Sequence, residues 1–384
     1  KQAEGMSNTA DDSGRLKLAK WLFSPLAGVT LRPWLNVLKT YGGSIPPRYW
    51  PRTIFTTCMA VMNSIIQYRE PDAILEDKYS VKKPVFIVGH HRSGTTHLWK
   101  LLSVDDRFIY PTVTETIFPS TLLTFEKIAT TWAQKLSPRK RPQDNVKSSS
   151  ESPMGEEWAL CASTYLSTHM ARHFPQQRNA FKKYLTLRSL PETQQQKWQR
   201  ALDRFARKLL FKAGGDKTIL FKAPTHTAKI QLLLDLYPDA RFIHICRNPY
   251  RVFQSTVNME LKSLPMCAYQ KMNLEELEDY IIWRYKTMYD AFFEDIRQVP
   301  EGQITHLKYE DLIADRTTAV EKIYADLDLG DFENMESNLR EYVQSIAGYK
   351  KNRYKSLPAD QTKQINRSWG HIIMKLGYDL EDQA

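Results

Sequence analysis

Val85-Phe86-Ile87-Val88-Gly89-His90-His91-Arg92-Ser93-Gly94-Thr95-Thr96-His97-Leu98 is the stretch on which the fold turns. Its first four residues are apolar and mostly β-branched, which predicts a buried strand. A glycine-bounded turn follows. Thr95 or Thr96 then opens a helical run through Leu102. A strand, a glycine-flanked loop and a helix N-terminus together present backbone N–H groups to a phosphate. The spacing approximates G-x-x-x-x-G-K-[ST], with Gly89 and Gly94 at the glycine positions. Thr95, however, stands where that motif has the lysine that reaches the outer phosphates of a nucleoside triphosphate. A threonine there, with Arg92 inside the loop, suits a shorter anion. The bland alternative is a glycine-rich turn with no ligand.

A chain of 384 residues accommodates one large α/β domain with a helical addition, or two domains. The net charge of +11 draws anions, so nucleic acid, a membrane surface and an anionic nucleotide are all compatible partners. No apolar run reaches the roughly 18 residues that span a bilayer. Lys1 to Gly14 is polar and lacks a signal-peptide core. Cys58, Cys161, Cys246 and Cys267 lie far apart, with neither metal-ligand spacing nor a disulfide framework. The expectation is a cytoplasmic protein with reduced thiols and no metal.

Lys1 to about Leu16 is expected to be disordered. Trp21 to Gln67 is aromatic, apolar and punctuated by proline, with a helix over Thr53 to Ile66. Two readings stand for it: a helical subdomain packed on the core, or an interfacial surface giving access to a lipid-like acceptor and so peripheral contact with a membrane. The boundaries are therefore residues 1–80 for a tail and helical extension, and 81–384 for the main domain. Within the latter, about 135–155 reads as an exposed loop or lid rich in proline, serine and charge. Its run Arg139-Lys140-Arg141 is too short for a nucleic-acid patch.

Further strands are predicted at Phe108–Thr114, Thr218–Phe221, Ala240–Cys246 and Gln303–Leu307, alternating with helices. That alternation implies a three-layer α/β/α architecture with a central parallel sheet. Ligands of such sheets bind beyond the carboxyl ends of the strands. Glu115, Lys222 and Arg247 each follow a strand, so all three are expected on the ligand side. A carboxylate such as Glu115 can take the proton of an acceptor hydroxyl; the alternative is a helix-capping partner. His169 and His173 are four apart, but Met170 occupies the position where a zinc motif needs glutamate.

Arg92-Ser93-Gly94-Thr95-Thr96 resembles the 5′-phosphosulfate loop of sulfotransferases that use 3′-phosphoadenosine 5′-phosphosulfate (PAPS). A second signature agrees: a strand ending in Arg247, then Asn248-Pro249 and a helix carrying Ser255, is similar to that family's 3′-phosphate site. Tyr309-Glu310-Asp311-Leu312 resembles a third element, whose tyrosine lines the adenine-nucleotide pocket. The basic run Gly348 to Lys355 resembles the loop that closes over the 3′-phosphate. The resemblance covers roughly Pro84 to the C-terminus and implies a P-loop-like sulfotransferase fold of bacterial type. It implies donor contacts from His91, Arg92, Ser93, Gly94, Thr95, Thr96, Arg247, Ser255, Tyr309, Lys351, Asn352 and Arg353. It also implies in-line transfer to an acceptor hydroxyl, small or lipid-like, with adenosine 3′,5′-bisphosphate released and Arg92 and Lys222 stabilising the leaving charge. Some members carry a catalytic glutamate where Glu115 stands. Cytosolic members place a histidine two residues after the lysine; Pro224 is there, and His226 lies two further on. The base is open between Glu115 and His226. The competing functions are a kinase-like P-loop enzyme, which the missing lysine opposes, and a non-catalytic anion or nucleic-acid binder, which rests on net charge alone.

Overall fold

Strand β1 (Val85–Val88) has no polar residue and hence no face that tolerates water; all four side chains are fully buried. The computed structural model describes residues 24–70, 78–124, 151–271, 275–347 and 356–381, together with Trp21 and Thr131. The expected disordered tail, most of the loop at 135–155 and the basic run Gly348–Lys355, with Lys351, Asn352 and Arg353, lie outside the described residues.

The other strands are β2 (Phe108–Ile109), β3 (Thr218–Lys222), β4 (Arg241–Cys246) and β5 (Ile304–Lys308). Every pairing is parallel, in the order β2-β3-β1-β4-β5. The helices named below are α1 (Leu31–Tyr41), α2 (Trp50–Gln67), α3 (Thr95–Leu102), α4 (Val113–Ile117), α5 (Glu192–Ala213), α6 (Pro249–Cys267), α7 (Glu275–Asp295) and α8 (Tyr309–Ala314). From β1 the chain runs towards β2 at one edge, and from β4 towards β5 at the other. The crevice of an open sheet forms where neighbouring strands diverge in this way, so it lies at the carboxyl ends of β1 and β4.

Alternation along β1 serves two layers. Val85 and Ile87 pack with Leu98 and Leu101 of α3 and with Val320, Ile323 and Leu339 of later helices. Phe86 points to the other side. It stacks on Phe221 of β3 at 5.2 Å and Phe242 of β4 at 5.8 Å, its register partners on the two neighbouring strands. This three-ring ladder ties the central strands together.

The chain divides into two compact units. One comprises Lys1–Asp77, Pro111–Lys182 and Leu261–Asn273; the other comprises Lys78–Tyr110, Lys183–Glu260 and Leu274–Ala384 and holds the whole sheet. In the first unit α2 turns polar residues inward as anchors. Arg52 donates to the carbonyls of Met266 at 2.5 Å and Ala268 at 2.8 Å, and Asn63 donates to those of Ala27 and Val29. Gly28 is required because a Cβ would stand 1.6 Å from the Ile117 carbonyl oxygen. The aromatic N-terminal helices thus share a unit with two later segments of chain.

One expected strand is shorter than its β-branched run suggests. Phe108–Thr114 keeps strand geometry only at Phe108–Ile109. Thr112 then caps α4: its hydroxyl accepts from the Glu115 N–H, and the Glu115 carboxylate accepts from the Thr112 N–H at 2.7 Å. A T-x-x-E capping box outweighs β-propensity over so short a span. After β3 the chain forms a 3-10 turn, Pro224–Ala228, and then an α-helix, Ile230–Leu236.

Truncating the ladder with Phe86→Ala should cost about 3–5 kcal/mol, because the stacked neighbours cannot close the cavity; a denaturant midpoint equal to that of the parent chain would refute this. Acid lability follows from buried imidazoles. Burial, with the Arg284 charge adding to it, holds His90 down to about 3, and burial holds His173 at about 3. Unfolded histidines titrate near 6.5, so below that pH the unfolded chain binds protons that the folded one refuses, and stability falls as pH drops. Each such histidine costs about 1.4 kcal/mol one pH unit below 6.5. The melting temperature should therefore fall between pH 7.5 and 5.5; a constant value would count against neutral burial.

Candidate active site

The loop between β1 and α3 is set by two glycines and one strained residue. Gly89 has φ +139°, and a Cβ there would lie 2.1 Å from the Ile245 carbonyl oxygen of β4. Gly94 has φ +104°, and its Cβ would lie 2.3 Å from the Tyr309 ring. Arg92 adopts φ +71°, the left-handed region that non-glycine residues avoid. The turn is held from within: the Ser93 N–H and hydroxyl both donate to the His90 carbonyl, at 3.2 and 2.8 Å. It is held from outside by Thr227, whose hydroxyl accepts from the Gly89 N–H at 2.7 Å. Gly94 stands at the N-cap of α3 and brings no capping side chain. The helix therefore offers amide donors and the positive end of its dipole to an anion. Thr95 opens α3 and is buried; His91 and Thr96 are half-buried on the same loop.

The turn after β4 meets this loop. Arg247 Nη1 donates to the Arg92 carbonyl at 3.4 Å, and its guanidinium lies 4.5 Å from the centre of the Tyr309 ring. Arg92 Nε donates to the Ser255 hydroxyl on α6 at 2.9 Å. Burial raises the Tyr309 phenol above its ordinary range, while the charges of Arg247, Arg316 and Arg92 oppose that rise. Arg92, Gly94, Arg247, Ser255 and Tyr309, chosen from separate stretches of sequence, form one cluster.

Lys222 ends β3 beside Ile87 of β1. Its ammonium lies 4.9 Å from the ring centre of Trp99, which is buried on α3. His226 is fully buried, with Phe86 edge-on at 5.7 Å and Trp198 of α5 edge-on at 5.6 Å. Glu115 belongs to the other unit, where it is buried in the capping box of α4.

Sequence reasoning gave no role to four residues that support the loop or the turn after β4. His90 is fully buried, its ring 4.9 Å from Tyr285, with Nδ1 2.8 Å from the His91 carbonyl. A neutral imidazole makes that contact by donating from Nδ1. Glu260 of α6 and Arg284 of α7 form a buried ion pair at 3.1 Å whose charges His90 senses. Glu310 accepts from the Asn248 N–H at 3.2 Å and from the Tyr378 hydroxyl at 2.7 Å, tying α8 to the turn after β4. Glu310 was visible in the Tyr-Glu-Asp-Leu run; Glu260 and Arg284 carry no local signal.

A family model described as "Sulfotransferase family" matches residues 84–334. Omega-hydroxy-beta-dihydromenaquinone-9 sulfotransferase Stf3 of Mycobacterium bovis is 31% identical over 374 residues, covering 94% of this chain and 94% of the relative. The protein of the same name from Mycobacterium tuberculosis matches to the same extent. Among solved structures, sulfotransferase STF9 from Mycobacterium avium superimposes with a TM-score of 0.69 at 16% identity, covering 88% of each chain. Sulfotransferase STF1 from Mycobacterium tuberculosis H37Rv does so with a TM-score of 0.54 at 17% identity, over 83% of this chain and 92% of that one. At such identities the likeness to those two structures is one of fold. The matched span and the whole-length relatives go further: the chain belongs to the sulfotransferase family.

Proposed function

We propose that this sulfotransferase takes its sulfonate from PAPS and passes it to the hydroxyl of a lipid-like acceptor. The single observation that carries the donor reading is the cluster of Arg92, Ser255, Arg247 and Tyr309. Two cationic groups share one rim of the parallel sheet, as a donor with an anion at each end requires. In this reading the loop His91 to Thr96 holds the 5′-phosphosulfate with its amides and Arg92. Arg247 and Ser255 hold the 3′-phosphate, a guanidinium giving paired contacts and a hydroxyl one more. Tyr309 borders the nucleotide.

Transfer is in line. The acceptor oxygen attacks sulfur, the bond from sulfur to the 5′-phosphate oxygen breaks, and adenosine 3′,5′-bisphosphate leaves. Arg92, Lys222 and the loop amides stabilise the charge that grows on the leaving oxygen. Glu115 accepts the hydroxyl proton. His226, the other candidate base, is enclosed between Phe86 and Trp198. The acceptor reading draws on the curated relatives, which are named for a hydroxylated menaquinone. A lipid acceptor brings the enzyme to the periphery of a membrane. Within the described residues, no helix is long and apolar enough to cross one.

Arg247→Ala should weaken binding of adenosine 3′,5′-bisphosphate roughly 10- to 100-fold, the loss of a charge-assisted contact to phosphate. Calorimetry without magnesium measures it; unchanged affinity, or tight binding only of ATP with magnesium, would remove the PAPS reading. Glu115→Gln should keep both the fold and nucleotide affinity, because glutamine also serves a capping box. Turnover should fall roughly two to four orders of magnitude if the carboxylate is the base. Full activity in that variant, with loss in His226→Gln, would move the role to His226.

A further inference from the structure

We infer that the outer face of α2 docks the protein on an anionic lipid surface, with the helix lying in the plane of the interface. The inference rests on the lipid-acceptor reading for its purpose, and on the helix itself for its evidence. The inward face of α2 is buried through Arg52, Thr56, Met59, Ala60 and Asn63. On the opposite face Trp50, Ile54, Val61, Ile65 and Tyr68 are exposed, Ile54 and Ile65 to 63% and 64% and Tyr68 to 92%. At 100° per residue these five fall within a narrow stripe, and from Trp50 to Tyr68 it runs about 27 Å along the helix. Large apolar side chains scattered singly on a surface need no explanation, whereas a continuous row of them marks an interaction site. Trp and Tyr at the two ends are residues that favour the boundary between lipid and water.

Charge selects the partner. From Ser13 to Arg69 the sequence contains neither Asp nor Glu. Arg32 and Lys39 of α1, Arg48 before α2 and Arg69 after it are all exposed. The first acidic residue beyond, Glu70, is turned inward, where it accepts from the Leu123 and Thr124 N–H groups. An apolar stripe on a helix that carries neither Asp nor Glu, with Arg48 before it and Arg69 after it, complements anionic headgroups over an acyl layer. The rival occupant is a second copy of the chain. Ile54, Cys58, Val61, Ile65 and Tyr68 recur at four- and three-residue steps, the spacing of a coiled-coil seam. Two such helices would bring Arg48 and Arg69 of both copies and no Asp or Glu of their own to pair with them, which disfavours that arrangement.

The test uses the full chain with vesicles of phosphatidylcholine alone and of phosphatidylcholine mixed with phosphatidylglycerol. The parent protein should sediment with the mixed vesicles and less with the neutral ones, and added salt should weaken the difference. The variant Ile54→Gln, Val61→Gln, Ile65→Gln should lose at least about tenfold in vesicle partition. It should keep its melting temperature, its affinity for adenosine 3′,5′-bisphosphate and its turnover of a water-soluble alcohol. Ile65→Glu alone, a single exposed change, should lower partition in the same direction. Absence of vesicle binding by the parent, or equal binding by both variants, would overturn the inference. A parent dimer that the triple variant dissolves, with vesicle binding unaltered, would assign the face to a second copy instead. Failure to sulfate a lipid alcohol in detergent micelles would refute the acceptor reading and leave the vesicle result to stand or fall separately.

Discussion

The carbonyl oxygen of Arg92 is the point through which the site is assembled. It lies in a left-handed turn, faces the Arg247 guanidinium, and belongs to the residue whose side chain reaches Ser255. Two guanidinium groups are drawn to one rim although their charges repel. Among the contacts that do this are a carbonyl, a hydroxyl and the face of Tyr309, all neutral. Contacts of that kind order a guanidinium without cancelling its charge, which is the condition for receiving an anion. The strain at Arg92 persists because Ser93, Thr227 and the two glycines over-determine the backbone around it.

Beneath this rim lies a layer in which charge is managed differently. His90 gives its carbonyl to the loop and keeps its ring neutral among aromatic neighbours. Glu260 and Arg284 are buried together, an arrangement that is costly if either partner is removed alone. Below them β1 is apolar on both sides, with Val85 and Ile87 serving one layer and the Phe86 ladder the other. The loop is therefore supported by a buried strand whose four side chains are all apolar.

How much of this was legible depended on whether the signal was local. The loop Gly89 to Thr96 and the turn Arg247 to Pro249 encode themselves, because glycine positions, a strand end and a helix start all lie within a few residues. Arg247 and Ser255 were readable as a pair because one strand-turn-helix unit carries both. The run Phe108 to Thr114 misled as a strand, since its β-branched residues overlap a capping box from Thr112 to Glu115 and the hydrogen bonds decided between the two. The Glu260–Arg284 pair was invisible, because its members sit in two ordinary-looking helices and only packing brings them together. The first helices likewise read as an extension of their own, yet Arg52 binds carbonyls more than two hundred residues later.

By itself, the sequence determined the strand-loop-helix with its glycine-bounded turn, the parallel α/β class and the family resemblance, since each follows from residue type at short spacing. Only the tertiary structure decided which cations share a rim and that His226 is enclosed by aromatic rings while Glu115 serves a capping box. It alone also decided which face of α2 is left to solvent. The physical reason is that backbone geometry is specified by neighbours in the chain, whereas burial and charge pairing are specified by residues that become neighbours only after folding.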